Sequence, residues 1–319
     1  MALSDMKVFN QYLQSATIET LAQMVEKFNA ASAGSIVLTA DGFDGDFMQQ
    51  SFWGALHAAQ RRVDRYATNT TAAATALAQL QHNSVKVAGG FGPISWEPAQ
   101  LTWVQKNPSE AIEVISRNLA EAIMSDQLNT AILALVTAIE AQATATFDTG
   151  TGPMAYADIN SAHAKFGDSS MLIVADVMDG AMYHSLIGLN LANTPQLFQA
   201  ANVTVVEILG KRVVVTDAAA LRETGSGAEA KVLGLVAGAA IVHDGSDLIT
   251  NIETSNGAQR IATTFQADYS FGLGLKGYAW DVTNGGKSPD ATDLATASNW
   301  DKVATSIKHT AGVLAKSDV

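Results

Sequence analysis

Residues 107–142 read NPSEAIEVISRNLAEAIMSDQLNTAILALVTAIEAQ. Asn107 is a residue type that caps helix N-termini, and Pro108 suits the first helical position. Glu110 stands three residues after the cap, the spacing of a capping box. Ile112, Ile115, Leu119, Ile123, Leu128, Ile132, Leu135, Val136 and Ile139 then hold one apolar stripe, with no Gly or Pro to interrupt it. About 35 residues at about 1.5 Å each predict a helix of roughly 50 Å, long enough to cross a whole domain. Glu110 and Glu113 lie where the positive end of the helix dipole favours acids.

Upstream of the helix the pattern changes. Residues 67–80 are rich in Thr and Ala, and residues 84–87 alternate. Ala88-Gly89-Gly90-Phe91-Gly92-Pro93 follows, then a second extended stretch over 94–104. Two extended runs around a Gly- and Pro-rich tip predict a long β-hairpin. Little in residues 48–106 could form a core, so the hairpin is expected to lie on another subunit. Deleting 88–96 is then expected to abolish assembly and leave a folded monomer. Farther upstream, residues 5–32 read as a helix capped by Ser4 or Asp5, and 35–47 as a strand and turn.

Downstream, the Gly-rich stretch 148–153 is the best domain boundary. Short helices are expected over 156–166 and 177–191. Strands are expected over 171–175, 203–209 and 213–216, and residues 223–229 read as a flexible loop. Residues 232–282 are β-rich, ending in a long extended run over 260–280. The segment after Asn284 reads as a tail with a short helix at 299–315.

Composition narrows the function. The chain has 319 residues and a net charge of −12, with 48% hydrophobic and 16% charged residues. It is a folded acidic protein, not a disordered one. Gripping DNA through phosphates needs clustered Lys and Arg, and only Arg61, Arg62 and Arg65 cluster here. That cluster reads either as a solvated helix end or as an intersubunit salt-bridge patch. The absence of cysteine removes disulfides, thiolate zinc sites and a Cys nucleophile, and fits a reducing cytosol. No signal peptide and no run of 18 apolar residues is present, so a soluble protein without a membrane partner is expected.

The motifs that could carry chemistry read blandly. Gly272, Gly274 and Gly277 spell the dinucleotide pattern, but Trp280-Asp281-Val282-Thr283-Asn284-Gly285 follows where a helix should open. Close backbone approach inside a strand is the better reading. Asp41, Asp44 and Asp46 form a solvated turn without calcium-loop spacing. His57, His82, His163, His184, His243 and His309 include no pair at metal-binding spacing. Ser226 between two glycines lacks the rest of a nucleophile elbow. Asn69-Thr70-Thr71 and Asn202-Val203-Thr204 spell glycosylation acceptors that a cytosolic protein would not use. No catalytic residue, cofactor or metal is expected.

The order of parts resembles the Hong Kong 97-type fold of tailed-bacteriophage major capsid proteins. Val85-Lys86-Val87-Ala88-Gly89-Gly90-Phe91-Gly92-Pro93 resembles the extended loop of one capsid branch. Residues 119–135, around Asp126-Gln127-Leu128-Asn129-Thr130-Ala131, resemble its spine helix. Lys165-Phe166-Gly167-Asp168 is similar to the entry into its axial domain, and 271–281 to its final peripheral strand. The resemblance implies an α+β chain. Its parts would be an N-terminal arm and first strand over 1–47, an extended loop over 48–106 and a spine helix over 107–150. An axial domain over 151–235, peripheral strands over 236–284 and a C-terminal tail over 285–319 would follow. It further implies a non-enzymatic shell protein of the virion, assembled in the host cytoplasm into hexamers and pentamers. The icosahedral head would enclose double-stranded DNA without binding it sequence-specifically. A separate scaffolding protein is expected, since about 40 residues precede the hairpin, together with a portal and cement proteins. Arg61, Arg62, Arg65, Lys86, Phe91 and Trp96 are the residues expected at the subunit interface. No residue matches the Lys–Asn crosslinking chemistry of some members. An encapsulin-type compartment is the alternative with the same fold, and an α/β enzyme with an unrecognised site is the third reading.

Overall fold

The computed structural model describes residues 3–39, 42–43, 45–53, 61–66, 68, 71, 74, 76, 79–96, 102, 104, 106–193, 207–208, 210–225, 227–256 and 261–318. Of the sequence readings above, Asp41, Asp44, His57, Asn69, Thr70, residues 202–206 and Ser226 lie outside them.

The long helix forms as the apolar stripe requires. Helix α1 spans Leu3–Ala31 and α2 spans Pro108–Glu140. Asn107 precedes α2, and its carbonyl accepts from the Ala111 amide at 3.0 Å. Its side chain makes no cap bond, so the expected capping box is not formed. The first half of α2 buries Ala111, Leu119 and Ile123 against Phe9 and Leu13 of α1 and against Phe265 and Ala267. The second half buries Ile132, Leu135 and Ile139 in a separate, larger core. Each such side chain is worth about 1.5–3 kcal/mol removed from water, so one helix pins two cores. α2 is long and apolar enough to cross a membrane, which its apolar window allows despite the isolated charges, but 56% of that window is buried inside the fold.

Two six-stranded sheets flank the helix. The first contains β1 (Ile36–Thr39), β2 (Phe47–Trp53), β3 (Gln79–Trp96), β9 (Ala240–Asp244), β10 (Ile249–Ser255) and β11 (Ala262–Leu275). Its order is β1-β9-β11-β3-β2. On one side β11 pairs with β3; on the other its two ends pair with β10 and β9 in turn. The second sheet orders β4 (Thr146–Thr151), β14 (Gly312–Asp318), β8 (Glu229–Val236), β5 (Ile173–Met178), β7 (Lys211–Val215) and β6 (Glu207–Ile208). Helices α3 (Tyr156–Ala164) and α4 (Gly180–Asn193) belong to this part. Asp179 starts α4 by accepting from the Met182 amide at 2.9 Å. Strands β12 (Tyr278–Trp280) and β13 (Trp300–Lys302) form a small pair, joined by α5 (Val282–Gly285) and α6 (Ala291–Leu294).

Several expectations are corrected. Residues 88–93 are not a hairpin tip: β3 runs through them unbroken and pairs with β11. The hairpin exists one strand earlier, where β2 pairs with 79–85 and Trp53 faces Gln79. Deleting 88–96 would therefore remove half of a central strand and unfold the subunit. The segment 285–319 is not a tail, and 299–315 is not a helix. β14 sits between β4 and β8 with Val313, Leu314 and Ala315 all buried. A short apolar run buried on both faces has no strand alternation, so periodicity could not separate it from a helix. The Gly-rich break at 148–153 falls within and just after β4. Met171, read into a buried strand, lies in the 3-10 turn Gly167–Leu172 and is 86% exposed.

Candidate assembly surface

The residues expected at a subunit contact fall into two groups. Arg61, Arg62 and Arg65 are exposed, and residues 61–66 themselves form neither helix nor strand. Asp64 accepts from the Tyr66 amide at 2.9 Å, and Arg65 lies 5.8 Å from the Tyr66 ring centroid. Tyr66 is 89% exposed and Val63 69%. Three cations and two large apolar groups thus face solvent together.

Lys86, Phe91 and Trp96 instead have partners within the chain. Lys86 pairs with Asp247 at 3.4 Å. Asp247 also accepts from the Ser270 amide at 2.8 Å and its hydroxyl at 2.5 Å. Burial pushes the Asp247 carboxyl up, but the Ser270 bonds and the Lys86 charge outweigh it and hold the group below its usual range. Phe91 packs on the core shared by α1 and α2. Trp96 stacks on Phe265, with centroids 6.3 Å apart and planes 10° apart.

A bulge explains how both aromatics reach one face. Ala267 pairs with Phe91 and Phe265 with Ile94, so β3 carries one extra residue at Gly92-Pro93. Side chains on either side of it then point the same way. Gly92 has φ 100°, and a Cβ there would lie 2.7 Å from the Phe265 carbonyl oxygen. Beside it, Tyr269 lies across Gly89, where a Cβ would come within 2.6 Å of the ring. Its hydroxyl donates to Asp126 of α2 at 2.7 Å. Burial, then the Asp126 charge, pushes the phenol well above its ordinary range. Gly89 and Gly92 thus shape the strand surface; sequence reading had placed them in a turn.

The opposite face of the sheet carries a hollow lined by Met48, Gln50, His82, Ser84, Ile241 and His243 over Gly274. Burial lowers the His82 imidazole, partly offset by a bond with the Tyr278 backbone. The Gly272-Gly274-Gly277 spelling is backbone approach, as read: a Cβ at Gly272 would meet Phe43 at 2.0 Å, and one at Gly274 would meet Ser84 at 2.5 Å. No phosphate-facing helix opens there, since β12 follows. Asp46 pairs with Lys287 at 3.8 Å. Among the described residues no three His, Cys, Asp or Glu gather as a metal site.

Two polar clusters have no signature in the sequence. His163 is buried and bonds Asp176, itself fully buried, at 2.8 Å. At the end of α2, Glu140 joins Lys231 of β8 at 2.9 Å and Lys316 of β14 at 3.3 Å. Glu223 and Glu229 complete the cluster, at 2.7 Å from Lys231 and 2.9 Å from Lys316 respectively. Hydrogen bonding by Glu229 and Glu140 raises the Lys316 ammonium well above its usual range. The partners are 140, 223, 229, 231 and 316; 140 and 316 lie too far in sequence from the other three for any spacing rule to join them.

A family model described as Gp13-like, major capsid protein 13-like, matches residues 5–314. No curated protein matches the chain. Among solved structures, one titled "Microbacterium phage Oxtober96" is similar with a TM-score of 0.55 at 12% identity, covering 90% of this chain and 91% of that one. The structure titled "Cyanophage Pam1 capsid asymmetric unit" gives 0.54 at 12% identity, covering 89% and 88%. A third, titled "Mycobacterium phage Adephagia", gives 0.53 at 10% identity over 88% of each chain. At such identities the likeness is one of fold: an α+β chain with a long helix and β-rich parts, in keeping with the Hong Kong 97-type resemblance.

Proposed function

The chain belongs to the major capsid protein 13-like family, and on that premise we propose that it forms the hexamers and pentamers of an icosahedral phage head. Its place is the virion shell, and its work is self-assembly. The observation that carries the reading is a family match running almost from end to end, over a fold whose long helix links two sheets.

The first sheet with α1 and α2 is the peripheral part, and the second sheet is the axial part, now including β4 and β14. The β2–β3 hairpin is the extended loop that reaches a neighbour, with Arg61, Arg62 and Arg65 at its contact. Lys86, Phe91 and Trp96 support that loop from within the chain. The shell encloses double-stranded DNA passively, because a net charge of −12 opposes phosphate gripping. Assembly takes place in the host cytoplasm with a separate scaffolding protein, and a portal and cement proteins complete the head. The chain catalyses no reaction and needs no cofactor.

The test uses the pairing of Trp53 with Gln79. Replacing 54–78 by a short Gly-containing turn joins two directly facing residues without disturbing the ladder. The full chain is expected to give megadalton shells or ring-shaped capsomers by size analysis and negative-stain microscopy. The shortened chain is expected to stay a folded subunit. A full-length protein that remains a 33.4 kDa monomer would sink the reading, and normal shells from the shortened chain would remove the loop from it.

A further inference from the structure

Helix α1 does more than cover a core. Asn29 donates to the Leu38 carbonyl at 2.7 Å and accepts from the Leu38 amide at 3.0 Å. Leu38 lies on β1, whose other side pairs with β9. One side-chain amide thus satisfies both outward-facing groups of that residue, as a neighbouring strand would. Ser32, just past the helix, donates to the Ile36 carbonyl at 3.3 Å, the next outward position. At the other end of α1, Asn10 donates to the Thr250 carbonyl at 2.8 Å and Gln14 to the Leu248 carbonyl at 2.5 Å. Those carbonyls belong to β10 and the residue before it, on the side away from β11. From residue 10 to residue 29 the helix advances roughly 28 Å, enough to pass both strands.

β1 and β10 bound the same side of the first sheet. Unpaired strand edges of this kind template pairing with another chain. On the opposite side, β2 is hydrogen-bonded only to β3 among the described residues. We propose that α1 is an edge guard: its polar side chains occupy the outer edges of β1 and β10 and deny them to strands of a second copy, leaving the β2–β3 side of the sheet open. Sheet contact between copies is thereby made one-sided. The outward face of α1 carries Glu19, Gln23, Glu26 and Lys27, all exposed, so the guard itself offers no strand-like edge.

This inference concerns strand edges and is independent of the shell reading. The test is the full-length chain carrying Asn10→Ala, Gln14→Ala, Asn29→Ala and Ser32→Ala together. Alanine has the highest helix propensity, so α1 is retained while the edge bonds are lost. The Leu38 amide is expected to exchange its proton about tenfold faster, the factor that one such bond is worth. Intermolecular β-structure, read by thioflavin fluorescence and size analysis, is expected at temperatures where the subunit is still folded. The comparison variant is Leu13→Ala, which opens a cavity beneath the fully buried Leu13 without uncovering an edge. It is expected to lower the melting temperature without intermolecular β-structure. A four-site variant that associates like the parent, or a Leu13→Ala variant that forms the same β-structure, overturns the inference.

Discussion

Replacing Lys231 by Met should cost the subunit about 2 kcal/mol of stability. The side chain is 6% exposed, and its ammonium stands 2.9 Å from Glu140 and 2.7 Å from Glu223. Removing one partner of a buried ion pair costs roughly 3–5 kcal/mol, because the other charge is left uncompensated. Here the cost is smaller for two reasons. Glu223 is 51% exposed and recovers water, and Lys316 still neutralises Glu140 and Glu229. Solvent screening of that order brings the figure down to about 2 kcal/mol. Methionine keeps the length of the side chain, so cavity formation contributes little. The pH dependence has a definite sign. Burial alone would lower the Lys231 ammonium, but the Glu223 and Glu140 bonds outweigh it and raise it. A cation raised in the folded state stabilises fully below its unfolded value and loses that contribution as pH rises through the folded one. Urea denaturation of the unassembled subunit near pH 8 should show the full difference, and the difference should shrink above about pH 10.5. A loss under about 0.5 kcal/mol near pH 8, or a difference that grows in alkali, refutes the reasoning.

Other perturbations follow from the same contacts. Gly89→Val places a branched side chain where a Cβ alone lies 2.6 Å from the Tyr269 ring, and overpacking of this kind costs about 1–3 kcal/mol by chemical denaturation. Tyr278 is pushed up to about 12 by burial and Tyr269 is raised as well. In an ultraviolet titration both should ionise after the exposed tyrosines, and stability should fall above about pH 10, where the unfolded chain has already lost those protons. His163→Ala leaves Asp176 buried without its imidazole partner, for a loss of about 1–3 kcal/mol, while an apolar pair of matched volume at both positions should recover most of it. A double-mutant cycle on thermal unfolding separates the two outcomes.

The sequence made the long helix legible because periodicity and a break-free run suffice to define it. It also made legible the bland reading of Gly272 and Gly274, since a dinucleotide loop needs a helix opening on the glycines, and strand β12 follows them instead. The path of β3 was not legible. Three glycines and a proline normally mark a turn, and only β11 reveals their other use. Gly89 makes room for the Tyr269 ring, while Gly92 and Pro93 absorb a bulge. β14 was hidden for a different reason. Its neighbours β4 and β8 lie far away in sequence, and burial on both faces erases the alternation that identifies strands. Of the expected interface residues, sequence could mark Arg61, Arg62 and Arg65 as a cluster. It could not reveal that Lys86, Phe91 and Trp96 would be engaged by Asp247, α1 and Phe265 of the same chain.

The two ends of the chain explain how such a subunit can bear load. α1 closes one side of the first sheet, and β1, just after it, is joined in parallel to β9, some 200 residues away. β14, at the far end, is joined in parallel to β4 and antiparallel to β8. Neither sheet is complete until distant parts of the chain have met. α2 then runs through both cores, and its last residue, Glu140, is bonded to lysines on β8 and β14. A force applied to either sheet is therefore passed to α2 through packed side chains, and to the second sheet through the partly buried Glu140 ion pairs as well. Separating the sheets requires breaking those pairs and drawing Ile132, Leu135 and Ile139 out of the larger core together. That coupling lets a load on one sheet spread through the whole subunit before any single strand is pulled out.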